Sequence, residues 1–248
     1  MSEVGSTITS DRVAILEMRR PPTNFFDEAL LTDLADALRS FDDDDNVGAV
    51  VLCSEGKHFC AGADLRGVRP AGIRRVYQQA LRLFGGRKPV VAAVQGGAIG
   101  GGLGLAMSAD FRVAAPDARL TANFARIGFH HGFGLSVTLP TAVGNQRALE
   151  LLYTGRRLNG NEALAIGLCD RVADDPRSAA IEMATEIASS APLSIPAIRT
   201  TMRRAVVAEV ANALDVEMSA QAALLDTTDF AEGVSASINK REPQFSGK

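Results

Sequence analysis

The sequence predicts an α/β fold with one large core and a helical appendage, on three observations. Val47–Cys53 and Val90–Val94 are short continuous apolar runs, the pattern of strands buried on both faces. Segments with helical spacing separate such runs, which implies a largely parallel sheet with right-handed crossovers. Beyond Pro176 the pattern is helical almost throughout. The 248 residues divide into a core, 1–190, and a helical region, 191–248.

Arg12 to Met18 alternates weakly and reads as a strand, ended by Pro21-Pro22. Asp27 can cap a helix in which Leu30, Leu31, Leu34, Ala37, Leu38 and Phe41 recur at helical spacing. Asp42 to Asp45 reads as a solvated acidic loop, since the helix dipole disfavours acid at a C-terminus. After Val47–Cys53 come a loop from Ser54 to Leu65, a mobile-looking segment to Ala71, and a helix to about Gly85. Val90–Val94 leads through a glycine turn into a helix ending near Ser108, then a strand over Phe111–Ala114. Helices follow over Gly132–Val143, Gln146–Tyr153 and Asn161–Ala165, then a strand over Leu168–Val172.

Hydrophobic residues make up 46% and charged residues 22%, enough for a sizeable core without disulfides. The net charge of −3 gives no basic face for nucleic acid. Three scattered cysteines form no C-x-x-C pair, which fits a reducing compartment. Met1 to Ser10 has no signal-peptide pattern, so a cytoplasmic location is expected. Pro89 to Ala109 carries no charge and is long enough to span a bilayer, but its glycines favour strand, turn and buried helix. Three separated histidines and no paired carboxylates make no metal-ligand set.

Two motifs carry chemistry. His58-Phe59-Cys60-Ala61-Gly62-Ala63-Asp64-Leu65 follows a buried strand, at the carboxyl end of the sheet where ligands bind. Small residues at 61–63 let backbone N–H groups approach a ligand. Gln95-Gly96-Gly97-Ala98-Ile99-Gly100-Gly101-Gly102-Leu103-Gly104 also follows a buried strand and opens a helix, whose bare N–H groups favour negative charge. Its spacing is neither a dinucleotide fingerprint nor a P-loop.

Taken together, these motifs resemble the crotonase superfamily (enoyl-CoA hydratase/isomerase). Pro21-Pro22-Thr23-Asn24, Ala109–Ala114, Leu152–Arg157 with Glu162–Leu168, Asp229–Gly233 and Lys240–Phe245 are similar to further segments of that family. The resemblance implies a crotonase-like ββα-repeat spiral core and a C-terminal helical trimerisation region. It implies an acyl-CoA thioester partner, no separate cofactor, and a homotrimer or dimer of trimers. By position it makes the N–H groups of Ala63 and Gly101 an oxyanion hole for the thioester enolate. Ala61, Gly62, Asp64, Leu65, Gly100, Phe129 and Lys248 become CoA- or substrate-binding residues, with Arg66 and Arg69 near CoA phosphates.

Two departures stand out. Hydratases of this family use two glutamates, and their positions fall here on Gly104 and Phe124. Neither residue can transfer a proton. His131, where the family commonly has proline, or its neighbour His130, is a candidate base; capping or interface roles are the alternative. Cys60 reads as a small filler, Asp64 as a loop-shaping residue, Glu150 as an arginine partner and His58 as exposed. Three functions stay open: a lyase, isomerase or hydrolase on acyl-CoA; a non-catalytic acyl-CoA carrier or sensor; and an interaction protein working through its C-terminal helices.

Overall fold

The computed structural model describes residues 3–63 and 70–248. In chain order the strands are β1 (Val4–Ile8), β2 (Val13–Met18), β3 (Ala49–Ser54), β4 (Val90–Val94), β5 (Gly97–Ile99), β6 (Phe111–Ala114), β7 (Arg119–Thr121) and β8 (Arg171–Val172). The helices are α1 (Glu28–Asp42), α2 (Pro70–Phe84), α3 (Gly101–Ser108), α4 (Leu135–Val143), α5 (Asn145–Thr154), α6 (Gly160–Ala165), α7 (Pro176–Ala188), α8 (Ser194–Leu224) and α9 (Thr228–Ile238). A 3-10 turn covers Asn123–Ile127.

The main sheet runs in the order β1-β2-β3-β4-β6-β8, with β5 and β7 forming a separate pair. Among the described strands of this sheet only β1 is antiparallel to its neighbour; β2, β3, β4, β6 and β8 pair in parallel, with Val13 opposite Ala49 and Val91 opposite Phe111. Every residue of β3 and β4 is buried, and the two faces explain why. On one face Leu16, Val50, Leu52, Ala92 and Val94 join the large core with α1, α2 and α3. On the other, Val13, Ala49, Val51, Val91, Ala93 and Val113 lie under Ala180, Met183, Ala184 and Ala188 of α7. The predicted continuous apolar strands thus have a cover on both sides.

Several boundaries differ from the sequence reading. The predicted helix over Gly132–Val143 begins only at Leu135, because Phe133 and Gly134 take positive φ (62° and 74°). The predicted strand over Leu168–Val172 shrinks to Arg171–Val172, since the Leu168 N–H closes the turn after α6 by donating to the Ala163 carbonyl at 2.8 Å. Strands β1, β5 and β7 were not foreseen. The uncharged stretch 89–109 divides among β4, β5 and the eight-residue α3, all packed in protein. Among the described residues no helix is long and apolar enough to cross a membrane. Asp42 is not solvated: it is buried, and its Oδ1 accepts the N–H groups of Arg87 and Lys88 at 2.7 and 2.9 Å. The carboxylate thereby fixes the entry to β4. Asp27 caps α1 as expected, accepting the Leu30 N–H at 2.9 Å.

The C-terminal helices pack on their own core. Val210 and Leu214 of α8 and Phe230 of α9 belong to the main hydrophobic cluster. At its start α8 is tied to the sheet by Asp110. That carboxylate accepts Arg199 Nε at 2.8 Å, Arg203 Nη1 at 3.0 Å and the Val90 N–H at 2.8 Å.

Candidate functional site

The loop 58–63 is built into the structure from both sides. Asn24 is fully buried, and its Nδ2 donates to the carbonyls of Glu55 (2.9 Å) and His58 (2.7 Å). The Ala61 N–H donates to the Thr23 carbonyl at 2.9 Å, and the Phe26 N–H to that of Gly62 at 2.9 Å. Across the loop, the Cys60 N–H donates to Gly97 (2.9 Å) and the Ile99 N–H to Cys60 (3.0 Å). Cys60 and Ala63 are thus held as single-residue extensions of strand pairing, against Ala98 and Phe26. His58 is half-buried rather than exposed, because its Nδ1 accepts the Gly97 N–H at 3.0 Å.

This pairing presses the two glycine-containing motifs together. Gly62 has φ 96°, and a Cβ there would lie 2.9 Å from the Ile99 carbonyl oxygen and 3.6 Å from the Gly101 nitrogen. A Cβ on Gly102 would lie 2.1 Å from the Cys60 carbonyl oxygen. Only glycine permits such close backbone approach. The N–H groups of Ala63 and Gly101 find no acceptor among the described residues. Gly101 opens α3, so its N–H sits at the positive end of a helix dipole, with no acidic side chain in the first turn. Gly100, at φ 55°, donates its own N–H to the Thr121 carbonyl at 2.8 Å, which links this corner to β7.

The surround of this corner is aromatic. A Cβ on Gly101 would fall 2.6 Å from Phe26 Cζ, and one on Gly100 3.6 Å from Phe124 Cζ. A Cβ on Gly104 would fall 2.5 Å from Phe133 Cβ and 2.9 Å from its Cγ. Phe133 is fully buried and meets Phe26 edge-on, with ring centroids 5.2 Å apart. The direction a side chain at 104 would take is therefore filled by Phe133. Phe26 and Phe133 were not anticipated; nothing local in the sequence marks a phenylalanine as the neighbour of a distant glycine.

The other predicted residues are more scattered. Phe129 stacks on Phe230 of α9, centroids 4.5 Å apart. Lys248 is exposed, and its carbonyl oxygen accepts the Asp229 N–H (3.2 Å) and the Thr228 hydroxyl (2.6 Å) at the start of α9. Asp64, Leu65, Arg66 and Arg69 lie outside the described residues. Glu150 pairs with Arg156 at 2.5 Å, as expected. Burial pushes the Cys60 thiol up to about 12, which suits a filler and not a nucleophile.

His131 sits on a braced loop. Its Nε2 lies 2.8 Å from the Ser136 hydroxyl, and its ring stacks on that of His130 with centroids 4.1 Å apart. His130 Nδ1 donates to the His131 carbonyl (2.7 Å), while Gln221 Nε2 donates to the His130 carbonyl (2.9 Å). Burial, with His130 alongside, pushes the His131 imidazole down to about 4, so it is neutral at pH 7. Behind the loop lies Glu217 of α8, with no exposed surface. It accepts the Gly134 N–H (2.8 Å), the Ser136 N–H (2.9 Å) and the Ser136 hydroxyl (2.7 Å). Burial raises its pKa, opposed by these donors. Glu217 went unnoticed in the sequence, where it is one acid among many on a long helix.

The largely parallel sheet thus brings a helix start and a corner with two N–H groups unpaired among the described residues to one place. Comparison with known proteins makes the class specific. The family model for enoyl-CoA hydratase/isomerase matches residues 9–248. A probable enoyl-CoA hydratase of Bacillus subtilis is 32% identical over 247 residues, 95% of this chain and 96% of that protein. The 1,2-epoxyphenylacetyl-CoA isomerase of Escherichia coli is also 32% identical, over 95% of both chains. The crystal structure of an enoyl-CoA hydratase/isomerase from Pseudoalteromonas atlantica superposes with a TM-score of 0.89 at 33% identity, covering 99% of this chain and all of that one. The chain belongs to the enoyl-CoA hydratase/isomerase family, with the crotonase fold.

Proposed function

We propose that the protein binds an acyl-CoA thioester and stabilises its enolate between the N–H groups of Ala63 and Gly101. The observation that carries this reading is the apposition of the two loops, which leaves both donors without an acceptor among the described residues. Charge develops on a thioester oxygen when the α-carbon loses a proton or the β-carbon gains water. One preorganised donor is typically worth roughly 10²–10³ in rate. Gly62, Gly100 and Ala61 hold the donors in place, and the exposed Lys248 is left to face CoA phosphates in this reading.

The reading excludes ordinary two-glutamate hydration. Gly104 and Phe124 stand where the two carboxylates belong, and support comes from Phe133, which occupies the direction of a side chain at 104. His131 is the base in this reading, neutral at pH 7 and held by a hydrogen bond. Exposed Leu193, Ile198 and Met202, at and just after the start of α8, support assembly into a trimer or dimer of trimers. Light scattering that returned a monomer at micromolar concentration would remove the assembly.

The test of function is loss of the conjugated enoyl-thioester absorbance with crotonyl-CoA and a long-chain trans-2-enoyl-CoA, with binding followed by calorimetry. Saturable binding without hydration is expected. Hydration near an ordinary enzymatic rate, about 10 s⁻¹, would refute the exclusion, and absence of binding would refute the whole reading. Binding of acyl-CoA with no exchange at its α-carbon would favour the carrier function instead.

A further inference from the structure

We infer that Glu217 and Ser136 form a hydrogen-bonded relay that fixes the tautomer of His131, leaving Nδ1 as the nitrogen free to take a proton. The inference rests on the reading of His131 as base, and extends it to two residues that no motif of the sequence singles out.

The geometry determines the proton positions. Three donors converge on the Glu217 carboxylate: two backbone N–H groups, which can only donate, and the Ser136 hydroxyl. Glu217 is therefore the acceptor throughout. A serine hydroxyl has one proton, and that proton is used at 2.7 Å on Glu217 Oε1. At the 2.8 Å contact with His131 the serine oxygen can then only accept, so Nε2 must carry the hydrogen. A neutral imidazole with hydrogen on Nε2 has its lone pair on Nδ1.

The other polar groups around the loop do not compete for this role. His130 spends its Nδ1 hydrogen on the His131 carbonyl, and the Tyr77 hydroxyl donates to Gln221 at 2.8 Å. Gln221 in turn holds the His130 carbonyl. The loop is thus pinned by α8 at two points one helical turn apart, Glu217 and Gln221, while only Glu217 connects to the imidazole. Glu217 is buried and Ser136 exposed, so the relay runs outward from the core through one hydroxyl.

In the step this arrangement serves, the α C–H bond of the acyl-CoA breaks, its electron pair enters the enolate held at Ala63 and Gly101, and the proton goes to His131 Nδ1. The imidazolium that results is neutralised through Ser136 by the Glu217 carboxylate. Both serve as positioning residues, since neither touches the reacting atoms.

The experiment uses the full chain and butyryl-CoA in D₂O, following α-hydrogen exchange by NMR, alongside long-range ¹⁵N–¹H spectra of the histidine rings. The wild type should show His131 as the Nε2–H tautomer. Ser136→Ala should give mixed tautomers and an exchange rate lower by about tenfold at unchanged KM, a part of the roughly 10²–10⁴ that general base catalysis supplies, since the base itself remains. Ser136→Thr, which keeps the hydroxyl, should restore both. Glu217→Gln should resemble Ser136→Ala if it folds; the serine pair decides the matter if it does not. A wild-type Nδ1–H tautomer, or a spectrum unmoved by Ser136→Ala, would overturn the relay. Full exchange in His131→Ala with a normal wild-type tautomer would instead overturn His131 as base while leaving the hydrogen-bond relay standing.

Discussion

Gly62→Ala tests the paired-loop corner at its tightest point. The added methyl would start 2.9 Å from the Ile99 carbonyl oxygen and 3.6 Å from the Gly101 nitrogen. Both are backbone atoms, so no side chain can swing away. The φ of 96° adds backbone strain of order 1–3 kcal/mol for a residue with a Cβ. In a chain of this size that lowers Tm by roughly 2–4 °C per kcal/mol, or about 2–12 °C in all. The methyl also crowds one donor and displaces the other, so α-hydrogen exchange on butyryl-CoA should fall by about 10²-fold or more. Gly144→Ala is the matched control. Gly144 has φ 79°, but a Cβ there meets nothing within 4 Å. It should cost similar strain, read by thermal denaturation, and leave exchange unchanged. A folded Gly62→Ala protein that exchanges within about twofold of wild type would refute the assignment of this corner as the oxyanion site.

Three further outcomes are expected. Asn24→Ala removes a buried amide that satisfies two loop carbonyls and Arg20 N–H, so denaturant unfolding should show a loss of about 2–4 kcal/mol and weaker acyl-CoA binding. Asp110→Ala leaves Arg199 and Arg203 facing each other without their carboxylate, and should cost about 3–5 kcal/mol in the same measurement. His131 protonates near 6.5 unfolded and about 4 folded, so between those values the unfolded chain binds more protons. Its contribution is complete above pH 6.5 and is lost as pH falls towards 4, an effect of about 1–2 kcal/mol after allowing for partial exposure. Glu217, with its raised pKa, works in the opposite sense, so His131→Asn should flatten only the acid-side loss in a pH series of unfolding curves.

What the sequence made legible was what short-range pattern encodes. The apolar runs at 47–53 and 90–94, the Asp27 cap and the helix opening after the glycine turn could all be read from neighbours in the chain. The two loops that meet at Gly62 and Gly101 were legible for the same reason: close backbone approach demands small residues in sequence order. The contacts that finish the site have no such signature. Phe133 reaches Gly104, Phe26 reaches Gly101, and Glu217 reaches the loop from a helix far along the chain. Asp42 was misread because its partners, the N–H groups of Arg87 and Lys88, arrive only when β4 pairs with β3. Strand β5 was hidden because three residues among glycines carry no alternation; its hydrogen bonds to β7 and Cys60 create it.

The packing of Phe133 against Gly104 also bears on how this chain can change. Placing any side chain at 104 by one substitution would drive its Cβ into Phe133, whose ring is wedged between Phe26 and Phe84. Trimming Phe133 first would open a void beside Phe26 and Phe84, at a typical cost of about 3–5 kcal/mol for a buried phenylalanine. Trimming to alanine would also leave the tightest contact in place, because the nearest atom to a Cβ at 104, at 2.5 Å, is the Phe133 Cβ itself. A side chain at 104 therefore requires the backbone at Phe133 to move, so the start of α3 and the loop before α4 are locked to one another and exchanging side chains at 104 and 133 is not enough to separate them.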